Sequence, residues 1–201
     1  MKPAPFTYEA PRTLESALES MAAHGADAKV LAGGQSLIPV MNFRLARPAV
    51  LIDLNGLPDL DFVRREATGA VRLGALTRQS RLERDPLVAE IAPLLAEAVP
   101  HIAHPQIRNR GTVGGTLAHA DPAAEMPAVM VALGARLRLT GPSGSRWVDA
   151  EAFFQGLFVT ALAPEELLVE VEIPAAGPGT GSAFLEIARR HGDYALAGIA
   201  A

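Results

Sequence analysis

Apolar residues recur at helical spacing from Leu14 through Ala17, Leu18 and Met21, behind a capping-type Thr13 and ahead of Gly25. That pattern predicts an amphipathic helix over residues 13–24. Lys29-Val30-Leu31 predicts a short buried strand running into Gly33-Gly34. Residues 36–43 predict a helix start in which Pro39 is tolerated only in the first turn, and Val50 to Leu54 predicts the next strand. Together these form a β-α-β unit over residues 1–55.

A turn-rich junction, Asn55-Gly56-Leu57-Pro58, opens a second unit. Val71 to Ala75 reads as a strand, Thr77 to Arg84 as a helix, and Leu87 to Val99 as a helix broken or kinked at Pro93. Residues 123–133 predict a further helix. Arg136 to Thr140 alternates as a half-buried strand does, and Gly141-Pro142-Ser143-Gly144 is a turn. Leu168 to Ile173 alternates again, with Ala183 to Ala188 predicted as its neighbour across the loop 174–181. The ending Tyr194 to Ala201 is apolar and uncapped, which reads as a chain cut inside an element.

Two glycine pairs stand where strand-like segments meet polar turns: Ala32-Gly33-Gly34-Gln35-Ser36 and Gly111-Thr112-Val113-Gly114-Gly115-Thr116. Glycine there permits positive φ and close approach of a ligand to backbone N–H groups. Two such loops, each before a possible helix start, predict two walls gripping one phosphorylated ligand. Neither is a G-x-G-x-x-G fingerprint or a Walker loop, and the first taken alone is equally an ordinary βα turn. Asp121 and Glu125, four apart around Pro122, either complement a helix macrodipole or accept hydrogen bonds from ribose or ribityl hydroxyls; spacing leaves both open.

The net charge of −4 argues against a broad nucleic-acid or anionic-membrane surface, so phosphate binding must be local. With no cysteine, the chain has no disulfide, thiolate nucleophile or iron–sulfur ligation of its own, which fits a reducing cytoplasm. No segment reaches the uninterrupted apolar length of a membrane span. His101 and His104 flank Pro100 and Pro105 on a predicted loop without a carboxylate at ligand spacing, and with His119 they make no metal site. No serine sits in a nucleophile elbow. Arg189 to Tyr194 is a polar turn whose tyrosine either packs at a strand end or stacks on a planar cofactor.

Taken together, Ala32 to Pro39, Ile107 to Glu125, Glu166 to Pro174 and Arg189 to Ala195 resemble the FAD-binding medium subunit of the molybdenum hydroxylases. That group includes carbon monoxide dehydrogenase and the flavin domain of xanthine dehydrogenase. The resemblance implies an α+β, PCMH-type (vanillyl-alcohol-oxidase-like) FAD-binding fold of two α/β subdomains, residues 1–55 and 56–177, with 178–201 opening a truncated C-terminal segment. It implies that Lys29, Val30, Leu31, Ala32, Gly33, Gly34, Gln35 and Ser36 hold the pyrophosphate. Gly111, Thr112, Val113, Gly114, Gly115 and Thr116 would form the other side of the phosphate–ribityl region. Ile102 and Leu168 would be apolar contacts, Asp121 and Glu125 carboxylates near the cofactor, and Tyr194 a neighbour of the isoalloxazine. A lysine that some relatives carry close after the position of Phe184 is replaced by Leu185 and Glu186.

The function so implied is a cytoplasmic electron-transfer flavoprotein subunit without catalytic acid–base or metal-ligating residues of its own. Its partners would be an iron–sulfur small subunit and a molybdopterin-binding large subunit, in a dimer of heterotrimers. The alternatives are a degenerate module that serves only as a structural or interaction subunit, and a stand-alone flavin oxidoreductase.

Overall fold

The computed structural model describes residues 1–201. The chain opens with β1 (Thr7–Glu9), α1 (Leu14–His24), β2 (Ala28–Leu31), α2 (Leu37–Asn42) and β3 (Val50–Asp53). Thr13 caps α1, its side chain accepting from Ser16 N–H at 3.1 Å while the Ser16 hydroxyl accepts from Thr13 N–H. Gly25 ends the helix at φ +52°, a conformation glycine adopts without a Cβ clash. The strands form a parallel sheet in the order β1-β3-β2. Against it lies a core that includes Ala17 and Met21 of α1 with Val50 and Ile52 of β3. The unit is thus β-α-β-α-β, one strand richer than its sequence pattern predicts. Lys29 and its strand neighbours are exposed or half-buried rather than buried, because β2 is an edge strand.

The second unit contains β4 (Val63–Arg65), β5 (Val71–Gly74), then the short helices α3 (Gln79–Leu82), α4 (Pro86–Ile91), α5 (Pro93–Ala98), α6 (Pro105–Arg108), α7 (Val113–His119) and α8 (Glu125–Ala132). Pro93 splits α4 from α5 as expected. The helix expected over 77–84 shrinks to one turn. After α8 come β6 (Arg136–Gly141), β7 (Gly144–Asp149), α9 (Ala150–Phe153), β8 (Phe154–Gly156), β9 (Val159–Thr160) and β10 (Leu167–Ile173). An antiparallel sheet runs β4-β5-β10-β6-β7, with Leu73 opposite Val171 and Val171 opposite Leu137. α5, α7 and α8 contribute Leu94, Leu95, Leu117, Met126 and Met130 to the larger core against this sheet.

β10 does not alternate between core and solvent as its sequence suggests, because it is central and buried along nearly its whole length. Val171 and Ile173 enter the larger core, Leu167 and Val169 the smaller one. A register irregularity lies between Leu168 and Glu170. Glu170 itself is only 3% exposed, and Arg64, Arg72 and Arg138 donate to it at 3.0, 3.2 and 3.3 Å. Three guanidiniums offset what burying one carboxylate would otherwise cost.

The last strands are β11 (Phe184–Ala188) and β12 (Ala195–Ala200). β11 pairs with β12 alone and not with β10, so the expected neighbour relation is wrong. The polar turn 189–194 lets the chain fold back on itself first, and the apolar ending becomes a paired strand packed on α8.

Candidate functional site

A cleft of about 540 Å³ separates the two units. The first unit contributes β2, Gly33 to Leu37, and Met21 and Gly25 at the end of α1; the second contributes Ala75-Leu76, the Gly111–Thr116 loop and the segment 160–168. Its size lies within the range of about 300–1,000 Å³ seen for cofactor and ligand sites. Lys29, the only lysine besides Lys2, stands on its rim without an ion-pair partner. A second cavity of about 410 Å³ lies on the other side of the Gly33-Gly34-Gln35 turn, lined by Leu31, Asp53, Asn55 and Arg110 among others.

The first glycine loop is a run of unspent donors. No protein acceptor takes the N–H groups of Gly33, Gly34, Gln35, Ser36 or Leu37, and Ser36 makes no side-chain cap to α2. Five successive free amides at a helix start, on residues that line the cleft, fit a phosphate group. Gly34 adopts φ +72°, the turn that permits this array.

The second loop is built differently. Val113 N–H donates to Thr77 O, Gly114 N–H to Ala75 O at 2.7 Å, Gly115 N–H to Thr112 Oγ1 and Thr116 N–H to Thr112 O. Gly111 N–H is taken by Ile107 O. None of the glycines in this loop has positive φ. They are small because the protein itself approaches: a Cβ on Gly114 would stand 2.6 Å from Ala75 Cβ, and one on Gly111 would overlap Gln79 Oε1; in the first loop, one on Gly33 would likewise overlap the Arg110 carbonyl. Across 111–116 only the Thr112 N–H lacks a protein acceptor, so a phosphate cradle of successive free N–H groups is not present. The loop offers a bare surface and the Thr116 side chain instead.

Of the residues singled out by sequence, Lys29, Val30, Ala32 to Ser36, Gly111, Thr112, Gly114, Gly115, Thr116 and Leu168 line the cleft together. Leu31 faces the second cavity. Val113 is fully buried in the larger core, packing rather than lining, because helix α7 points it inward. Ile102 is 7% exposed and belongs to that core too. Asp121 accepts from Ala123 N–H at 2.9 Å. Glu125 begins α8, where burial, joined by the nearby Glu186 and Asp121, pushes its carboxyl up to about 7. Tyr194 is 74% exposed on the hairpin turn. That turn does meet the segment of Ile102: His101 lies against Phe184 at 5.1 Å between ring centroids, and Gly192 is pressed on His104.

Sequence reasoning missed a polar cluster behind the first loop. Asp53 accepts from the Tyr8 hydroxyl at 2.6 Å and from Asn55 N–H at 2.8 Å, and Asn55 Nδ2 donates to Ala32 O. Burial works against the Asp53 carboxylate, yet these hydrogen bonds hold it below the ordinary range. Arg78 donates to Asn55 Oδ1 and to the Arg110 carbonyl, tying the two loops together. Asp53 and Asn55 are separated from Arg78 by more than twenty residues, and no periodicity signals that contact. Apart from Leu168, the segment 160–167 was also missed as a wall, although Leu162-Ala163-Pro164 before a strand carries a turn signal.

Two α/β units closing on a cleft with a run of free amides define a binding protein for a phosphorylated cofactor. Residues 4–176 match the family described as FAD binding domain in molybdopterin dehydrogenase. The alpha subunit of the 6-hydroxypseudooxynicotine dehydrogenase complex of Paenarthrobacter nicotinovorans is 46% identical over all of this chain and 67% of its own length. The structure of carbon monoxide dehydrogenase from Hydrogenophaga pseudoflava lacking the Mo-pyranopterin moiety superposes with a TM-score of 0.97 at 45% identity, covering 100% of this chain and 69% of that one. Quinoline 2-oxidoreductase from Pseudomonas putida 86 gives 0.93 at 43% identity, covering 98% and 67%. The chain belongs to this FAD-binding family: it is the flavin-binding medium subunit type of the molybdenum hydroxylase-type dehydrogenases, an oxidoreductase component with FAD as cofactor. None of its helices is long and apolar enough to cross a membrane.

Proposed function

We propose that the chain holds FAD non-covalently in the cleft and carries electrons from iron–sulfur clusters on a small partner subunit to an external acceptor. The molybdopterin-binding large subunit would oxidise the substrate, with two such heterotrimers pairing in the cytoplasm. The observation that carries the reading is the unspent amide run from Gly33 to Leu37 beside an apolar cleft. Those amides would take the pyrophosphate, and Lys29 would add a cation at the rim. Gly111, Thr112, Gly115 and Thr116 would bound the opposite side, and Leu168 would supply an apolar contact. Once bound, the flavin supplies the redox chemistry; the side chains bind, orient and exclude water. Residues 1–55 and 56–177 would act as the two subdomains that grip the cofactor.

The similar proteins described above are named for unlike substrates, which accords with a chain whose role is to receive electrons after substrate oxidation. The absence of cysteine accords with clusters held on another chain.

Acid precipitation of the flavin-loaded chain should leave all yellow colour in the supernatant. Mixing the loaded chain with its reduced small subunit in a stopped-flow cell should bleach the flavin band. A chain that takes up FAD but is not bleached would be a structural module. One that oxidises a soluble substrate unaided would be a stand-alone oxidoreductase.

A further inference from the structure

Gln79 lies outside every motif above, yet it is 2% exposed directly beneath the second glycine loop. Its backbone N–H donates to Gly111 O at 3.0 Å and its side-chain Nε2 donates to Thr116 Oγ1 at 2.9 Å, so one residue holds both ends of the loop. Nε2 also lies 3.9 Å from Met126 Sδ, a weak acceptor suited to an N–H. Oε1 has no partner and is pressed against Gly111, where any Cβ would overlap it.

A buried carbonyl without a donor lowers stability, and a methionine-like side chain would fill the same space without that penalty. The amide is therefore explained by what it does to Thr116. A threonine hydroxyl in a helix commonly turns its hydrogen back to the carbonyl four residues earlier. The Thr116 hydroxyl makes no such donation, nor any other within the chain, and its oxygen is occupied by Gln79. Thr116 lines the cleft. With a lone pair consumed from below, its O–H is free to point into the cleft as a donor.

We infer that Gln79 is a positioning residue for the cofactor: it fixes the Gly111–Thr116 loop and turns the Thr116 hydroxyl into a donor for an oxygen of the bound FAD. This rests on the reading of the cleft as the FAD site. It gives the second loop, whose amides other than that of Thr112 are spent, one directed polar contact of its own.

The test titrates FAD into apoprotein by flavin fluorescence and follows thermal unfolding of the same apoproteins. Gln79→Met and Thr116→Val should each weaken FAD by about 5- to 30-fold, the scale of one lost hydrogen bond. Thr116→Ser should stay within about twofold of the parent. The double variant should be no weaker than the worse single one, since both remove the same contact. Gln79→Met apoprotein should unfold at or above the parent temperature, which a purely structural glutamine would not permit. Parent-like affinity in Gln79→Met, additive losses in the double variant, or an unfolded Gln79→Met apoprotein would each overturn the inference. If the parent chain takes up no FAD, the reading of the cleft fails first; if the parent binds and Gln79→Met binds equally, only the role of Gln79 falls.

Discussion

The two glycine loops look alike in sequence and are opposites in construction. At Gly33-Gly34 the protein leaves five amides without acceptors and uses one positive-φ glycine to present them. At Gly114-Gly115 every amide is spent on the protein, and the missing side chains let α7 settle on Ala75. Gly34 thus serves the turn that leaves amides free, whereas Gly114, and in the first loop Gly33 against the Arg110 carbonyl, serve the fold. Composition alone does not separate these uses, because both conformational freedom and close approach select the same residue.

Substitution at the two sites should break in different ways. The largest effect is expected at Gly114→Val, whose Cβ would meet Ala75 Cβ at 2.6 Å and Ala75 O at 2.9 Å. Backbone and a buried methyl have no room to retreat, so the apoprotein should lose about 3 kcal/mol and melt about 6–12 °C lower. Calorimetry without FAD measures this directly, and an unchanged melting temperature would refute the packing role.

Gly34→Ala should separate the loops next. Its Cβ would press on Ile38 Cγ1 and Leu31 Cδ1 at 3.0 Å, away from any backbone, and would be held at φ +72°, a conformation that L side chains rarely adopt. Apoprotein stability should fall by about 1–2 kcal/mol, while FAD affinity should fall at least about tenfold as the amide array is displaced. Equilibrium titration beside the Gly114→Val result reads the contrast. Full affinity in Gly34→Ala would move the pyrophosphate elsewhere.

The carboxylates that follow the second loop sharpen the comparison through pH. Only that loop leads into acids, Asp121 and Glu125, which would repel a phosphate rather than hold one. Glu125 titrates near 7 because burial opposes its charge, aided by Glu186 and Asp121. A carboxyl raised on folding stabilises the folded state below its unfolded value of 4.5, and that stabilisation is lost as pH rises through about 7. Glu125→Gln should therefore flatten the melting temperature between those values and raise it by about 2–4 °C at pH 8. Parallel pH curves for the two proteins would rule the effect out.

Much of this is legible in the sequence alone. The helix at residues 14–24 carried its own cap and stop, and Val50 to Asp53 and Arg136 to Gly141 declared themselves by local pattern. The first loop was readable because strand, glycine and helix start follow one another. What failed was pairing and partner choice. Phe184 to Ala188 alternates no differently whether it joins β10 or β12, and only the short polar turn decides it. Leu168 to Ile173 read as half-exposed since Glu170 and Glu172 look solvated, whereas arginines from β4, β5 and β6 supply their surroundings. Gln79 was silent for the same reason: its partners lie 32 and 37 residues away in the chain.

The smallest effect separates the loops at their caps. Thr112 caps α7, its Oγ1 accepting from Gly115 N–H at 3.1 Å, whereas Ser36 makes no such bond to α2. Removing a satisfied cap costs about 1 kcal/mol, while removing an idle hydroxyl near a helix start costs a few tenths at most. Thr112→Ala should therefore lower the apoprotein melting temperature by about 2–4 °C, and Ser36→Ala should leave it within error. In FAD titrations the order should reverse, with Ser36→Ala the weaker binder, because its hydroxyl stands free beside the unspent amides and Thr112 Oγ1 is already engaged. The same order in both measurements would mean that the first loop, too, is glycine-rich for the sake of packing, and the contrast between the two would collapse.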